Sequence, residues 1–398
     1  MHAGKPRLLR DRSQPGHNRV GFLELFFDLV FVFAVTQISH RVLKDVSIGN
    51  CAETAILFAA MWWMWVYTTW CFNWLDPQNA RVRLMTFALA FVCLITAVAI
   101  PDAFEKRGLT FALAYVAAQI GRTIFTVFAM PAGSPQRKNF QRVLVWFLAS
   151  SPLWIAGGYS EGGARYALWI AALAIEVAGP IARFWAPVLG ASALADCNID
   201  GEHMAERCGL FIIIALGESL LITGATFEKL PWNQPHWLTL IAAVISTYAM
   251  WWIYFDKATE RGAHHIAHAE DPGRVGRRVY TYYHALIVAG VILSAVGDEL
   301  ALAHPVGHLE VSSLVMFGSS GALFLIGCGL FKREIAGFFP LSHMAGLALL
   351  VLALGASYAL HWEPYQAALV GAGALVVTAF WEWMSLERGL PEHSRARN

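Results

Sequence analysis

Charge is scarce in this sequence. Asp, Glu, Lys and Arg make up 14% of its 398 residues, against about 25% in an ordinary soluble chain, which leaves too few charged groups for the surface of a soluble protein of this size. Cysteine chemistry is missing too. Cys51, Cys71, Cys93, Cys197, Cys208 and Cys328 form no CxxC and no framework spacing, so a disulfide scaffold or thiolate metal site is not expected, and they read as small buried packing residues. No GxxxxGK[ST] loop is present for ATP, no GxGxxG follows a strand, and no GxSxG elbow occurs. Energy for any transport would have to come from an ion gradient. With 29 basic and 28 acidic residues the net charge of +1 says little, because the distribution of charge matters more than its sum in so apolar a chain, and nucleic acid is not an expected partner. Residues 1–19 are polar and basic, without the apolar core and cleavage site of a removable signal, and the first apolar run is expected to remain as an anchor.

What the sequence does have is long apolar runs. Hydrophobic residues make up 57% of the chain, the mean hydropathy is +0.50, and runs able to cross a hydrocarbon core of about 30 Å recur throughout. They fall at residues 21–40, 52–74, 82–100, 109–130, 141–158, 165–185, 205–227, 236–256, 279–297, 311–331, 341–360 and 366–384. The expected fold is all-α: a polytopic membrane helix bundle of about twelve transmembrane helices. Charge placement tests this independently. With the N-terminus inside, the inner loops and tails hold 22 of the 29 lysines and arginines, the outer loops hold Arg41, Lys44, Lys106, Arg107, Arg165 and Lys229, and Arg122 lies within a span. A bias of that size is the positive-inside pattern, and it puts both termini in the cytoplasm.

The two halves resemble each other. Met61-Trp62-Trp63-Met64 is followed by the Ala-rich Ala88–Phe104, and Met250-Trp251-Trp252-Ile253 by the Ala-rich Ala285–Leu300. Each set follows an acid-bearing helix, and six helices per half make the repeat parallel. The expected organisation is a basic cytoplasmic tail (1–19), a first six-helix repeat (20–185), a cytoplasmic linker (186–204), a second six-helix repeat (205–385) and a cytoplasmic tail (386–398).

The candidate site comes from charges placed where lipid forbids them. Glu24 and Asp28 lie four residues apart in the first span and share one face. An ionised side chain near the bilayer centre costs about 2.5–3.5 kcal/mol on insertion scales, so both need partners or water. The seventh span carries His203, Glu206 and Arg207 at its start and Glu218 further along, while Arg122 and Glu176 lie in the fourth and sixth. We expect Glu24, Asp28, Glu176, Glu206 and Glu218 as ion-binding or proton-carrying groups, with Arg122, Arg207 and His203 as their charge partners. An acid left without a basic partner could carry a proton. His203, Glu206, Glu24 and Asp28 could instead ligate a divalent metal, the one cofactor weighed; otherwise none is expected. His264, His265 and His268 read as a solvated connector, His284 and His343 as packing or interfacial residues. Trp62, Trp63, Trp65, Trp70, Trp74, Trp251 and Trp252 suit interface belts and helix packing.

The segments Glu24–His40 (ELFFDLVFVFAVTQISH) and His203–Ser219 (HMAERCGLFIIIALGES) resemble the two signature segments of the bacterial low temperature requirement protein A (LtrA) family, and the resemblance covers essentially the whole chain. It carries over to Glu24, Asp28, His203, Glu206, Arg207, Gly217 and Glu218. It implies a multi-pass protein of the bacterial cytoplasmic (inner) membrane associated with growth at low temperature, and it does not specify a molecular activity. Three readings stay open. The leading one is a secondary transporter or proton/cation-conducting protein whose partners are the lipid bilayer and a small ion or solute. The others are a metal-dependent membrane enzyme acting on a lipid or isoprenoid, and a non-catalytic scaffold or sensor. Self-association as a homo-oligomer is compatible with each.

Overall fold

Helices form where the apolar runs lie. The computed structural model describes residues 8–11, 19–192, 200–255 and 272–387, and its long elements are twelve helices. They are α1 (Phe22–Lys44), α2 (Ile48–Phe72), α3 (Ala80–Ala99), α4 (Gly108–Ala129), α5 (Pro135–Tyr159), α6 (Gly162–Ile181), α7 (Gly201–Glu228), α8 (Gln234–Tyr254), α9 (His284–Ala303), α10 (Val311–Ala336), α11 (Leu341–Ala359) and α12 (Pro364–Glu387). Eleven are long and apolar enough to cross a membrane. The exception is α5, which has the length, 25 residues, but dilutes its apolar run with Ser150, Ser151, Pro152, Gly157 and Gly158. His264, His265, His268 and Cys197 lie outside the described residues, as do most of the two tails.

Local capping sets several helix starts. The side chains of Ser47, Asn79, Ser134 and Asn233 each accept a backbone N–H from the first turn of α2, α3, α5 and α8. Asp200 does the same for α7, its Oδ1 accepting the His203 N–H at 3.1 Å. The seventh helix therefore begins at Gly201 rather than at residue 205, and Glu202, His203 and Met204, expected in the linker, are helical. A π-helical stretch, Arg277–Tyr283, leads into α9.

The described residues fall into two compact units. The first holds the chain up to Arg207 with residues 272–274, and the second runs from Cys208 and from Val275 onward, so the division falls within α7. In the first, α1 packs on α2 and α3, then α3 on α4, α4 on α5 and α5 on α6, while α2 also meets α4 and α6. In the second, α9 packs on α10, α10 on α11 and α11 on α12, while α8 meets α12 and α9.

Burial is arranged for lipid. On α1, Phe22, Phe26, Leu29 and Phe33 are exposed at helical spacing, whereas Glu24 and Asp28 are fully buried beside Phe27 and Phe31. The apolar stripe faces out and the acids face in, as a hydrocarbon solvent requires. The core of the first unit is α2, where Trp62, Trp63 and Trp65 are buried. These three tryptophans are packing residues, while Trp251 and Trp252 are exposed in the manner of a lipid-facing belt.

Small residues bring helices together. A Cβ on Gly290 of α9 would come within 2.7 Å of the Phe324 backbone nitrogen of α10, whereas one on Gly355 would meet nothing within 4 Å. Gly290→Ala is expected to lower the melting temperature in detergent by an overpacking cost of about 1–3 kcal/mol, and Gly355→Ala to leave it unchanged. Melting the two variants beside the wild type checks this.

Candidate functional site: two buried charge devices in the first unit

The first device joins four pieces of chain around Glu24 and Asp28. The acids come from the inward face of α1, Trp65 from α2, His203 and Arg207 from the first two turns of α7, and Arg10 from the segment before α1. That segment is held by main-chain pairing: Arg10 N–H donates to Trp74 O and Asp76 N–H to Leu8 O, each at 2.9 Å. Arg10 then inserts inward, its Nε donating to the carbonyls of Phe72 (2.9 Å) and Leu75 (3.1 Å). These carbonyls lie at the end of α2, where helical partners run out and positive charge is favourable.

Every carboxylate oxygen has a donor. Glu24 Oε2 accepts from Arg10 Nη2 at 2.7 Å and from the Gly21 N–H at 2.8 Å. Glu24 Oε1 accepts from His203 Nε2 at 2.8 Å and from Arg207 Nη1 at 3.3 Å. Asp28 Oδ1 accepts from Arg207 Nη2 at 2.6 Å and Trp65 Nε1 at 2.7 Å, and Oδ2 faces Arg207 Nε at 3.4 Å. The Arg207 guanidinium also lies over the rings of Phe72 and Trp65, at 5.2 and 5.9 Å.

The tautomer of His203 follows from Asn73. The Asn73 amide is oriented by two bonds to the Asp200 backbone: its Oδ1 accepts the Asp200 N–H at 3.0 Å and its Nδ2 donates to Asp200 O at 2.9 Å. The same Nδ2 lies 3.3 Å from His203 Nδ1. A donor there makes Nδ1 an acceptor and assigns the proton to Nε2, which lies 2.8 Å from Glu24 Oε1 and also 3.1 Å from Arg10 Nη2. Among these described groups, two carboxylates, two guanidiniums and one neutral imidazole balance to zero.

The expected members divide as follows. Glu24, Asp28, His203 and Arg207 come together. Glu206 is exposed at the edge, where it accepts the Val20 N–H at 2.9 Å. Glu218 is half-buried on the part of α7 that belongs to the second unit. Of the four candidate metal ligands, Glu24, Asp28 and His203 come together and Glu206 stays at the edge. Guanidiniums occupy the carboxylate lone pairs that a cation would need, and no group of three or more His, Cys, Asp or Glu suited to a metal occurs among the described residues. Arg10, Trp65 and Asn73 were missed. Arg10 reads as one of several topogenic charges in a basic tail, and only the Asx-capped restart at Asp200 hints that this part of α7 is held from outside the helix.

The second device holds Glu176 and Arg122, which do not join the first. Glu176 of α6 is buried among neutral donors: Tyr115 OH at 2.6 Å to Oε2, and Ser150 Oγ and Trp154 Nε1, each at 2.8 Å, to Oε1. No basic side chain among the described residues lies within ion-pair distance of it. Gln119 Nε2 donates to Tyr115 OH at 2.9 Å, extending the chain along α4. Arg122, one turn on, donates from Nη1 to Met64 O (3.1 Å) and Thr68 Oγ1 (3.2 Å) of α2, and its guanidinium lies 5.6 Å from the rings of both Tyr67 and Phe147.

Beside the first device a cleft of about 850 Å³ is lined by Arg10, Arg19 and Arg83 against Asp76, with Phe22, Phe26 and Phe87 on its apolar side. Asp28→Asn leaves Arg207 as a buried cation with one carboxylate instead of two, and the expected loss is about 3–5 kcal/mol. Trp65→Phe removes one hydrogen bond to a charged group, about 1.5–3 kcal/mol. Melting in detergent should rank Asp28→Asn below Trp65→Phe, with both below wild type.

Comparison with known proteins places this arrangement. The sequence model of the bacterial low temperature requirement A protein (LtrA) family matches residues 19–382. The uncharacterized protein RA0937 of Rhizobium meliloti (strain 1021) is 41% identical over 384 residues, covering 94% of this chain and 92% of that protein. The family match takes in both charge devices, Arg10 excepted, and runs from α1 into α12. The chain therefore belongs to the LtrA family.

Proposed function

We propose that this LtrA-family membrane protein is a secondary transporter or proton-conducting protein of the cytoplasmic membrane, in which Glu176 carries the proton. The reading rests on one observation: a carboxylate inside a helix bundle held by Tyr115, Ser150 and Trp154 and by no cation among the described residues. Protonating Glu24 or Asp28 would leave Arg10 or Arg207 an uncompensated buried cation. Protonating Glu176 breaks no direct ion pair, since Arg122 acts on it only through space and keeps its carbonyl, hydroxyl and ring contacts, and the Tyr115 hydroxyl can turn from donor to acceptor to meet the new proton. An intramembrane acid of this kind is expensive unless it is used.

In this reading the first device is a lock. Its neutral sum and complete hydrogen bonding suit a fixed joint between α1, α2, α7 and the segment before α1, and leave no carboxylate oxygen for a passing cation. Both termini lie in the cytoplasm, as the distribution of lysine and arginine supports, and the two six-helix sets are copies in parallel orientation. Glu218 is a second candidate carrier.

Proton uptake into proteoliposomes under an imposed potential, followed with an interior pH dye, tests the reading. Wild type is expected to take up protons, and Glu176→Gln to lose at least tenfold in rate while eluting as a folded species from size-exclusion chromatography. Wild-type vesicles that move no protons under any gradient would refute it.

A further inference from the structure

The two units carry the same device in two arrangements. In the second, Lys332 of α10 pairs with Glu382 of α12 at 2.5 Å and donates to Ile253 O of α8 at 2.8 Å, with both charged side chains buried. In the first, Arg122 of α4 donates to Met64 O of α2, and the acid of α6 is Glu176. Met64 and Ile253 are the same position of the repeated motif, each directly after the paired tryptophans. The cations lie on the fourth helix of each set and the acids on the sixth, each acid five residues before its helix ends. Cation, carbonyl and acid therefore correspond one to one.

The difference is in how the cation is satisfied. Lys332 meets its acid, whereas Glu176 is turned to Tyr115, Ser150 and Trp154. Arg122 is left with Nε and Nη2 buried and, among the described residues, without an oxygen or nitrogen acceptor. The neighbouring Cys71 thiol is a weak acceptor at best. Arg122 is 1% exposed and cannot shed its charge, so these donors call for an acceptor. Nε and Nη2 share the side edge of the guanidinium, whose two parallel N–H groups match the two oxygens of a carboxylate. Gln119, three residues earlier on the same face, has its Oε1 buried and, among the described residues, also without a partner, which adds an acceptor to the two donors.

We infer that Arg122 and Gln119 form a binding site for a small carboxylate that carries a hydroxyl or amino donor, with the carboxylate on the Arg122 edge and the donor on Gln119 Oε1. The solute takes the place beside the cation that Glu382 fills in the second unit. This deepens the transport reading by naming the class of solute that would move with the proton, and Glu176 lies one hydrogen-bonded chain, through Tyr115, from Gln119.

The test is equilibrium binding to the purified full-length chain in detergent, by titration calorimetry with glycolate, acetate and chloride. Wild type is expected to bind glycolate saturably, acetate several-fold more weakly and chloride least. Arg122→Lys keeps the charge but loses the fork, and should weaken glycolate at least tenfold. Gln119→Leu should abolish the preference for glycolate over acetate while retaining acetate binding, and it serves as the test should Arg122→Lys not fold. Absence of saturable carboxylate binding by wild type would overturn the inference, as would glycolate binding unchanged in both variants. Because no gradient is used, binding that survives in Glu176→Gln while proton flux is lost separates the solute site from the proton carrier.

Discussion

Buried charge in a hydrocarbon solvent must be balanced locally, and that constraint organises the first unit. Glu24 and Asp28 could not lie on α1 facing a protein core unless two guanidiniums met them there. Meeting them dictates the rest. The start of α7 must run alongside α1 so that Arg207 reaches both acids, and the segment before α1 must pair with the end of α2 so that Arg10 can turn inward. Asp200 must cap α7 early enough to make His203 helical. Asn73 then orients the imidazole, and the sum of charges comes to zero with no carboxylate oxygen left over.

Three buried acid–base devices among the described residues solve the same problem differently. Lys332 and Glu382 close directly on each other, with the Ile253 carbonyl as third partner. Glu24, Asp28, Arg10 and Arg207 share charges across four pieces of chain. Arg122 and Glu176 are the exception: the cation is held by a carbonyl, a hydroxyl and two aromatic rings, and the acid by three neutral donors. Groups held this way can change protonation or partner without breaking an ion pair. The contrast between a saturated network and a loosely compensated one separates structural charge from working charge in this protein.

Much of the architecture was legible in the sequence, because hydropathy and length alone decide whether a segment can be a membrane helix. Even α5, the most dilute in apolar residues, was read as a run at residues 141–158, and the charge alternation of the loops was consistent with it. That Glu24, Asp28 and Arg207 turn inward was legible, since none of these charges could face lipid, but their meeting was not, because the charges alone do not say which helices lie side by side. The partners were harder to read. Arg122 looked like the natural counter-ion of the acids because it is a cation within a span, but that does not specify azimuth, and its guanidinium meets α2 and the Tyr67 and Phe147 rings. Trp65 looked like an interface residue, since periodicity cannot show that an indole N–H is satisfied by a carboxylate inside the core. Arg10 lies in a tail whose charge had a sufficient explanation in topology, and the main-chain pairing that turns it inward leaves no mark in composition.

The most direct measurement is the infrared difference spectrum of the purified protein between neutral and acidic pH, with the protonated carboxyl C=O band followed in variants. If Glu176 is the working acid and the α1 pair a fixed lock, a carboxyl band appears on acidification, disappears in Glu176→Gln and survives in a folded Asp28→Asn protein. A band that is unaffected by Glu176→Gln and lost with Asp28→Asn would contradict this division of roles and make the α1 pair the titrating site.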